Sequence, residues 1–253
     1  MKLKTLLTAQ IAMLSLTLTG SIAWAGSSSP LTFGSTKNAA LVVTPRADKT
    51  NMKDGQPLTE KMIKAADSYN DYTFEFEMTA YKGGTTVERG KFYFKKPRLI
   101  RLEEHGPLRK GSVAILTASG KVKGHAGGGL SFFVVDLSPN SSLLRSANGY
   151  PMVDSDLFSL AKALKKFVDE GKVALQAENQ TTLANGNRVE MLEVYMKNDG
   201  PIYKRVAVDA DTLLPVEWWD YEQGNLVSHS TWHNFAGNIG LTDATFTIKG
   251  AAK

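Results

Sequence analysis

The chain has 253 residues, no cysteine and a formal net charge of +5. This charge is small for the length, so we expect no binding to nucleic acid. The absence of cysteine excludes disulfides, thiol catalysis and lipidation at a cysteine. The length suits one domain with a sizeable hydrophobic core.

The first predicted element is a signal peptide over residues 1–25. Lys2 and Lys4 precede an apolar stretch at 6–18, and Ala-Trp-Ala at 23–25 has the small-x-small pattern that signal peptidase reads. The apolar stretch is shorter than the roughly 20 residues that span a bilayer. We therefore expect export to the periplasm as a soluble protein without a lipid anchor.

Residues 26–56 are rich in Ser, Thr, Ala, Lys and Asn, a composition that predicts a flexible linker. The folded domain is predicted over 57–253. In it, apolar residues recur three to four positions apart after Pro57, which favours a short amphipathic helix over 57–67.

Three strands are predicted next, at 72–80, 87–95 and 98–104, because apolar residues occupy every second position. Strands of this kind have one buried face and one face in water. The apolar residues on the shared face are Tyr72, Phe74, Phe76, Met78, Phe92, Phe94, Ile100 and Leu102.

The rest of the chain predicts more strands and one further helix. The helix covers 154–168, and Asp154, Ser155 or Asp156 could cap it. The remaining strands are predicted at 113–118, 130–137, 172–178, 188–196, 201–208, 213–220 and 226–235. This pattern predicts an α+β fold, in which a large curved antiparallel sheet, an incomplete β-barrel, is covered on its concave side by a few helices.

Residues 90–97, Gly-Lys-Phe-Tyr-Phe-Lys-Lys-Pro, resemble a segment of the LolA-like superfamily of periplasmic lipoprotein carriers. In that family a glycine opens a strand, and a basic residue with proline closes it seven positions later. The Gly-Lys turn after residues 114–119 and Asp243 followed by Phe246 are also similar. Because Lys-Lys stands where the carriers often have an arginine, the chain most resembles an uncharacterised branch, a domain of unknown function.

The resemblance implies a half-barrel with helices as a lid over an apolar cavity, whose members carry acylated lipoproteins, bind lipids or sense lipoproteins. We expect the aromatic face to line such a cavity, joined by Trp218 and Trp232. Trp218 and Trp219 must face opposite sides of their strand, so at most one is interior. The predicted head-group or lid contacts are Lys95, Lys96, Arg98 and Arg101, although these charges could also be a solvated strand edge.

Catalytic and metal sites are not predicted. Glu103 and Glu104 are adjacent on a strand and therefore face opposite sides. His229 and His233 are about 13 Å apart along a strand, too far to share one zinc ion. No Gly-x-Ser-x-Gly motif is present, and no cofactor is implied.

The sequence thus predicts a non-catalytic periplasmic carrier for a lipid, an acyl chain or an acylated lipoprotein, with envelope membrane proteins as possible partners. The alternative is an envelope sensor or structural interaction module on the same fold with a filled core. A hydrolase would need a compact polar cluster that the sequence does not show.

Overall fold

One antiparallel sheet of thirteen strands dominates the computed structural model, which describes residues 49–197 and 200–249. The α-helices of this part of the chain are α1 (Gln56–Ser68) and α2 (Leu157–Asp169). The strands are β1 (Met52–Asp54), β2 (Asp71–Ala80), β3 (Thr86–Lys95), β4 (Leu99–Glu104), β5 (Val113–Leu116), β6 (Val122–His125), β7 (Val135–Leu137), β8 (Val173–Ala177), β9 (Thr181–Thr182), β10 (Arg188–Tyr195), β11 (Ile202–Asp209), β12 (Pro215–Glu222) and β13 (Asn225–Gly237).

The strand order explains where the second helix lies. The sheet runs β1-β8-β10-β11-β12-β13-β2-β3-β4-β5-β6-β7, with β9 paired to β10. Among the described residues β7 ends one edge and β1 the other, so the sheet is not closed into a barrel. The chain between β7 and β8 must therefore cross the sheet, and α2 lies on this crossing. The predicted α+β incomplete-barrel fold is confirmed.

The two helices fill one half of the inner face, defined here as the face on which Tyr72 and Trp218 lie. Their apolar residues pack on side chains from β8, β10, β11 and β12, including Leu192 and Val206. This cluster excludes water and supplies the stabilisation that short helices lack in isolation. The buried helical residues in it are Leu58, Met62, Leu160, Ala161 and Leu164.

The start of α2 is fixed by two side chains. Asp156 caps the helix, since its carboxylate accepts a hydrogen bond of 2.9 Å from the Ser159 backbone N–H. The Tyr72 hydroxyl accepts another, also 2.9 Å, from the Leu157 N–H. Of the three residues that the sequence left open as a cap, the structure selects Asp156.

The outer face of β2 was expected to be fully in water, and this expectation is wrong at one end. Thr73 is buried there. Leu241 and Phe246, from the segment after β13, form a cluster with Tyr93 and Ile115. The alternation along β2 could not indicate this cover, because the covering residues lie about 170 positions later.

Two other predicted boundaries differ from the structure. The strand predicted at 130–137 is reduced to β7, and Gly128–Leu130 forms a 3-10 helix. Its apolar run has no alternation that would fix one face, and Gly128 has a φ of 64° that ends extended backbone. Residues 49–56 of the predicted linker are ordered, since β1 pairs with β8.

The predicted signal peptide and most of the predicted linker lie outside the described residues. Over residues 49–197 and 200–249, no helix combines the length and the apolar character that crossing a membrane requires.

Candidate functional site

A cavity of about 740 Å³ lies on the inner face of β2 to β6, beyond the half that the helices fill. Its wall is mostly aromatic and aliphatic. Phe74 and Phe92 stack on each other with ring centroids 5.0 Å apart, and Trp232 meets Phe74 edge-on at 6.4 Å. Such pairs hold the wall rigid and apolar.

Most of the predicted cavity residues meet in this wall. Trp218 faces inward and Trp219 outward, as the strand geometry requires. The predicted residues that line the cavity are Phe74, Phe76, Met78, Phe92, Leu102, Trp218 and Trp232.

Tyr72, Phe94 and Ile100 do not line it. They are buried in a packed core at the closed end of the inner face. Leu144, Met152 and Leu157 belong to the same core, so the crossing chain fills the space above these three residues. The alternating pattern gives a residue's face and not whether that face is covered, so these three were indistinguishable from the lining residues by sequence.

The predicted head-group residues lie outside the cavity lining, and two of them, Lys96 and Arg98, tie the sheet to the cover of its inner face. Lys96 forms an ion pair of 3.2 Å with Asp67 at the end of α1. Arg98 donates to the Val153 carbonyl at 3.0 Å and to the Asp154 carboxylate at 2.9 Å. Lys95 pairs with Asp243 at 2.6 Å.

Arg101 has a different position, on the outer face. It is 4% exposed, pairs with Glu103 at 2.7 Å and donates to the Thr247 carbonyl at 2.7 Å. These partners hold the C-terminal segment against the sheet. Lys96 and Arg98 thus contact the end of α1 and the crossing chain, whereas Arg101 contacts neither.

One end of the cavity is polar because two glutamates point inward among apolar residues. Glu88 on β3 and Glu104 on β4 line the cavity and are 1% and 5% exposed. In the register Gly90 stands opposite Glu104, so Glu88, two residues along β3, is the diagonal neighbour of Glu104, and about 7–8 Å separates their Cα atoms. Gly90 has no side chain that could lie between the two glutamates. Glu103, by contrast, faces outward, as predicted for adjacent strand residues.

Burial changes the acidity of this pair. It raises the pKa of Glu104 to about 7, with a further contribution from the Glu88 charge and an opposing one from Arg109. The pKa of Glu88 is also raised by burial, although the Ala147 N–H and Arg109 counteract this. The sequence signal was present, since Glu88 and Glu104 have the same even-numbered phase as Phe92 and Leu102 on their strands.

A buried ion pair separates the aromatic wall from a second cavity of about 570 Å³. Lys204 donates to Asp220 at 2.5 Å and to the Tyr150 hydroxyl at 2.6 Å. Trp218 and Ser228 also donate to Asp220, at 2.9 and 2.7 Å. The carboxylate is therefore fully satisfied, and we assign this cluster a structural role. Burial, followed by the Asp220 charge, raises the pKa of Tyr150.

The cavity reaches the surface beside an apolar rim. Leu108, Val135 and Leu143 line the cavity while remaining 37% to 68% exposed. The glycine-rich segment at 124–129 supplies Gly124, His125, Ala126, Gly127 and Gly128 to the lining.

The histidines considered as metal ligands lie on the outer face of β13. His229 stacks on Trp219 at 4.8 Å and approaches Glu217 at 2.9 Å, whereas His233 approaches Glu75 at 3.5 Å. They thus engage different carboxylates and do not converge on one point.

Several solved structures are similar to this chain at low identity. A DUF1329 family protein from Desulfovibrio piger is 16% identical with a TM-score of 0.42, covering 77% of this chain and 98% of its own. A LolA superfamily protein from Nitrosomonas europaea is 11% identical with a TM-score of 0.38, covering 75% and 97%. The Pseudomonas aeruginosa MucA/MucB complex is 13% identical with a TM-score of 0.42, covering 76% and 60%.

The LolA-like superfamily and the domain of unknown function expected from residues 90–97 are thus both named among similar structures. No protein-family model and no curated protein matches the chain.

Proposed function

We propose that this chain is a non-catalytic periplasmic carrier that binds a lipid, an acyl chain or an acylated lipoprotein in the cavity of the inner face. The observation that supports this function is the cavity itself. A volume of about 740 Å³ lies within the range of about 300–1,000 Å³ that is usual for small-molecule sites.

The chemistry of the wall supports an apolar ligand. Each methylene buried against Phe74, Phe92 and Leu102 contributes about 0.8 kcal/mol, so a fatty chain binds well without polar contacts. Movement of the cover widens the opening that the cavity already has beside its apolar rim. The ties of Lys96 and Arg98 to that cover are half-exposed ion pairs, which contribute at most about 1 kcal/mol each and therefore allow it to open.

Lipid mass spectrometry tests this function directly. The protein is purified without detergent, extracted with organic solvent, and the extract is compared with that of an unrelated exported protein. We expect acyl lipid in near-stoichiometric amount. An extract without enriched lipid, together with no binding of a fluorescent fatty acid by the purified protein, would contradict carriage.

A cavity-filling variant localises the ligand. Ala114 lines the cavity on β5, so Ala114→Phe projects a ring into the space that the chain would occupy. We expect at least a tenfold loss of fatty-acid binding with the fold retained. The matched control is Thr79→Phe, which adds a ring on the outer face of β2. Equal binding by the two variants would place the ligand elsewhere.

The interaction module is favoured by a different observation. Leu130, Phe132 and Phe133 are 60% to 79% exposed, and a group of exposed apolar residues so close together often marks a contact with another molecule. This function predicts a specific envelope partner that is lost in a Phe132→Ser, Phe133→Ser double variant, with no lipid in the extract.

A further inference from the structure

Two carboxyl oxygens at the polar end of the cavity lack hydrogen-bond partners. Within residues 49–197 and 200–249, the buried side-chain oxygens in this state are Glu88 Oε1 and Glu104 Oε2. Both side chains are at least nine-tenths buried and both line the cavity. Buried polar atoms are almost always paired, so this end of the cavity is incomplete without a donor.

The positively charged side chains of the protein neutralise Glu88 and Glu104 only in part. Arg109 Nη2 lies 3.7 Å from Glu88 Oε1 and donates instead to the Arg145 carbonyl at 2.9 Å. Glu88 Oε2 accepts from the Ala147 N–H at 3.1 Å, which attaches the cover to the sheet. One guanidinium thus faces two carboxyl groups, and Glu104 has no ion pair within 4.0 Å among the described residues.

A metal ion does not fit this end. Two carboxyl groups are present, and no group of three acidic, histidine or cysteine side chains able to hold a metal occurs over residues 49–197 and 200–249. Calcium takes six to eight oxygen ligands, and zinc usually takes three or four protein ligands. A nitrogen donor that carries its own positive charge needs no such shell.

We propose that Glu88 and Glu104 form a subsite for a primary ammonium group, and hence that the ligand of this cavity is a cationic amphiphile. Its hydrocarbon part lies against the aromatic wall, and its N–H groups donate to the free carboxyl oxygens. Charge-assisted hydrogen bonds of this kind are about twice as strong as neutral ones. The inference rests on the proposed function, because it assigns the ligand class of the same cavity.

Other charged groups face the same space and must be considered. Arg109 and Lys110 come from the loop after β4, His125 from β6, Asp220 from β12 and Tyr150 from the crossing chain. Asp220 is satisfied by Lys204, and the His125 ring contacts the Ala126 carbonyl at 2.9 Å. Lys110 is exposed at the mouth. An anionic head group would have to approach Lys110 instead of the glutamates.

Three probes that share one hydrocarbon tail and differ in the head group distinguish a cationic ligand from a neutral and an anionic one. Dodecylamine, dodecanol and dodecanoate each compete with a fluorescent fatty alcohol for the purified protein at pH 8, at concentrations below the critical micelle concentration or solubility limit of each. We expect dodecylamine to bind about tenfold or more tightly than dodecanol, and dodecanoate to bind no better than dodecanol.

The variants Glu88→Gln and Glu104→Gln keep the size of the side chains and remove their charge. We expect each to lower dodecylamine affinity about tenfold and to leave dodecanol affinity unchanged. Glu103→Gln is the matched control, because Glu103 is the neighbouring carboxylate on the outer face and we expect it to preserve the preference. Circular dichroism verifies that every variant is folded.

The pH dependence of the wild-type protein gives a second readout that needs no variant. The ammonium group stays charged below about pH 10. Dodecylamine affinity should fall about tenfold between pH 8 and pH 6 as Glu104 gains a proton, while dodecanol affinity stays constant. A dependence that persists when both Glu88 and Glu104 are replaced by Gln comes from neither glutamate and contradicts the assignment.

The outcomes separate the two proposals. Equal binding of the three probes, or an amine preference that survives both glutamine variants, overturns the ammonium subsite and leaves the carrier function standing. Binding of none of the probes overturns the carrier function and the subsite with it. The subsite is supported if dodecylamine binds preferentially, and if this preference depends both on the two glutamates and on pH.

Discussion

At the scale of single residues, Glu104 illustrates how position decides chemistry. Its neighbour Glu103 binds Arg101 on the outer face, whereas Glu104 points into the cavity beside Glu88. The same carboxyl group therefore has a matched cation on one side of the strand and lacks one on the other. Burial then favours the neutral acid.

This difference predicts an unusual pH dependence of stability. The pKa of Glu104 is about 7 in the folded protein and about 4.3 in the unfolded chain, so the folded state binds more protons between these values. The contribution of Glu104 to stability is therefore fully present below about pH 4.3 and is lost as the pH rises through 7.

Wild type should lose about 2 kcal/mol more of its free energy of unfolding between pH 5 and pH 8 than Glu104→Gln does. One unit of pKa corresponds to about 1.4 kcal/mol, and residual solvent around the carboxyl group reduces the effect. Urea unfolding at the two pH values measures it. Glu60→Gln, on the exposed face of α1, is the control and should unfold as wild type does. Parallel pH curves for wild type and Glu104→Gln would refute the buried acid.

Gly90 gives a second prediction at this scale. A Cβ here would lie 2.1 Å from the Glu103 carbonyl oxygen and 2.8 Å from the Phe76 ring. Neither the β4 backbone nor a ring in the cavity wall can move without cost, so we expect Gly90→Ala to destabilise the fold by about 3 kcal/mol. Thermal unfolding measures this. Gly129→Ala, where nothing lies within 4 Å, should change stability by less than about 1 kcal/mol. Similar losses in both variants would contradict the close packing at Gly90.

At the scale of elements, the connection from β7 to β8 determines where the cavity can be. It crosses the inner face, closes one end with Leu144, Met152 and Val153, and then enters α2. Asp156 stops the irregular segment and starts the helix. The cavity lies beside this segment, which contributes Leu143, Tyr150 and Met152 to its lining, in the part of the face that the helices leave largely open.

Variants of Asp156 and of the nearby Asp154 test which of the two caps α2. Asp156→Ala removes the acceptor for the Ser159 N–H, and we expect a loss of about 1–2 kcal/mol in the free energy of unfolding. Asp156→Asn should retain most of the stability, because asparagine caps equally well. Asp154→Ala removes only a half-exposed pair with Arg98, and should cost less than about 1 kcal/mol. A larger loss for Asp154→Ala than for Asp156→Ala would reverse the assignment.

The local spacing of apolar residues predicts where helices and strands lie better than it predicts which other residues pack on them. The alternation at 72–80 and the spacing of Leu58 and Met62 locate β2 and α1 within one residue. The run at 130–137 has neither period, and it became mostly exposed loop. The choice among Asp154, Ser155 and Asp156 depends on where the crossing chain meets Tyr72, which is a tertiary contact and is absent from the local sequence.

At the scale of the whole molecule, the inner face has two halves with different packing. The half under α1 and α2 is a continuous core with Leu164, Leu192 and Val206 fully buried. The half on β2 to β6 has the cavity. Which strands belong to which half follows from the strand order, and a single sequence gives no register between distant strands. Glu88 and Glu104, by contrast, lie on consecutive strands, and their shared even-numbered phase could have placed them on one face.

The two halves should respond differently to a ligand. An apolar chain that fills the cavity adds contacts to β4, β5 and the loops at its rim and adds few to the helices, whose inner sides are already packed. Hydrogen exchange with and without a saturating fatty-chain probe measures this, since ligand binding suppresses local opening where contacts are gained.

We expect at least tenfold slower exchange in residues 107–116 and 124–128, with amides of α1 and β10 changing less than twofold. The Ala114→Phe protein is the control and should show the slower exchange without any probe, because its ring takes the place of the ligand. Slower exchange spread evenly over both halves would mean that the probe stabilises the entire fold instead of filling this cavity. Protection limited to α1 and α2 would mean that it enters between the helices, a route that their closed core opposes.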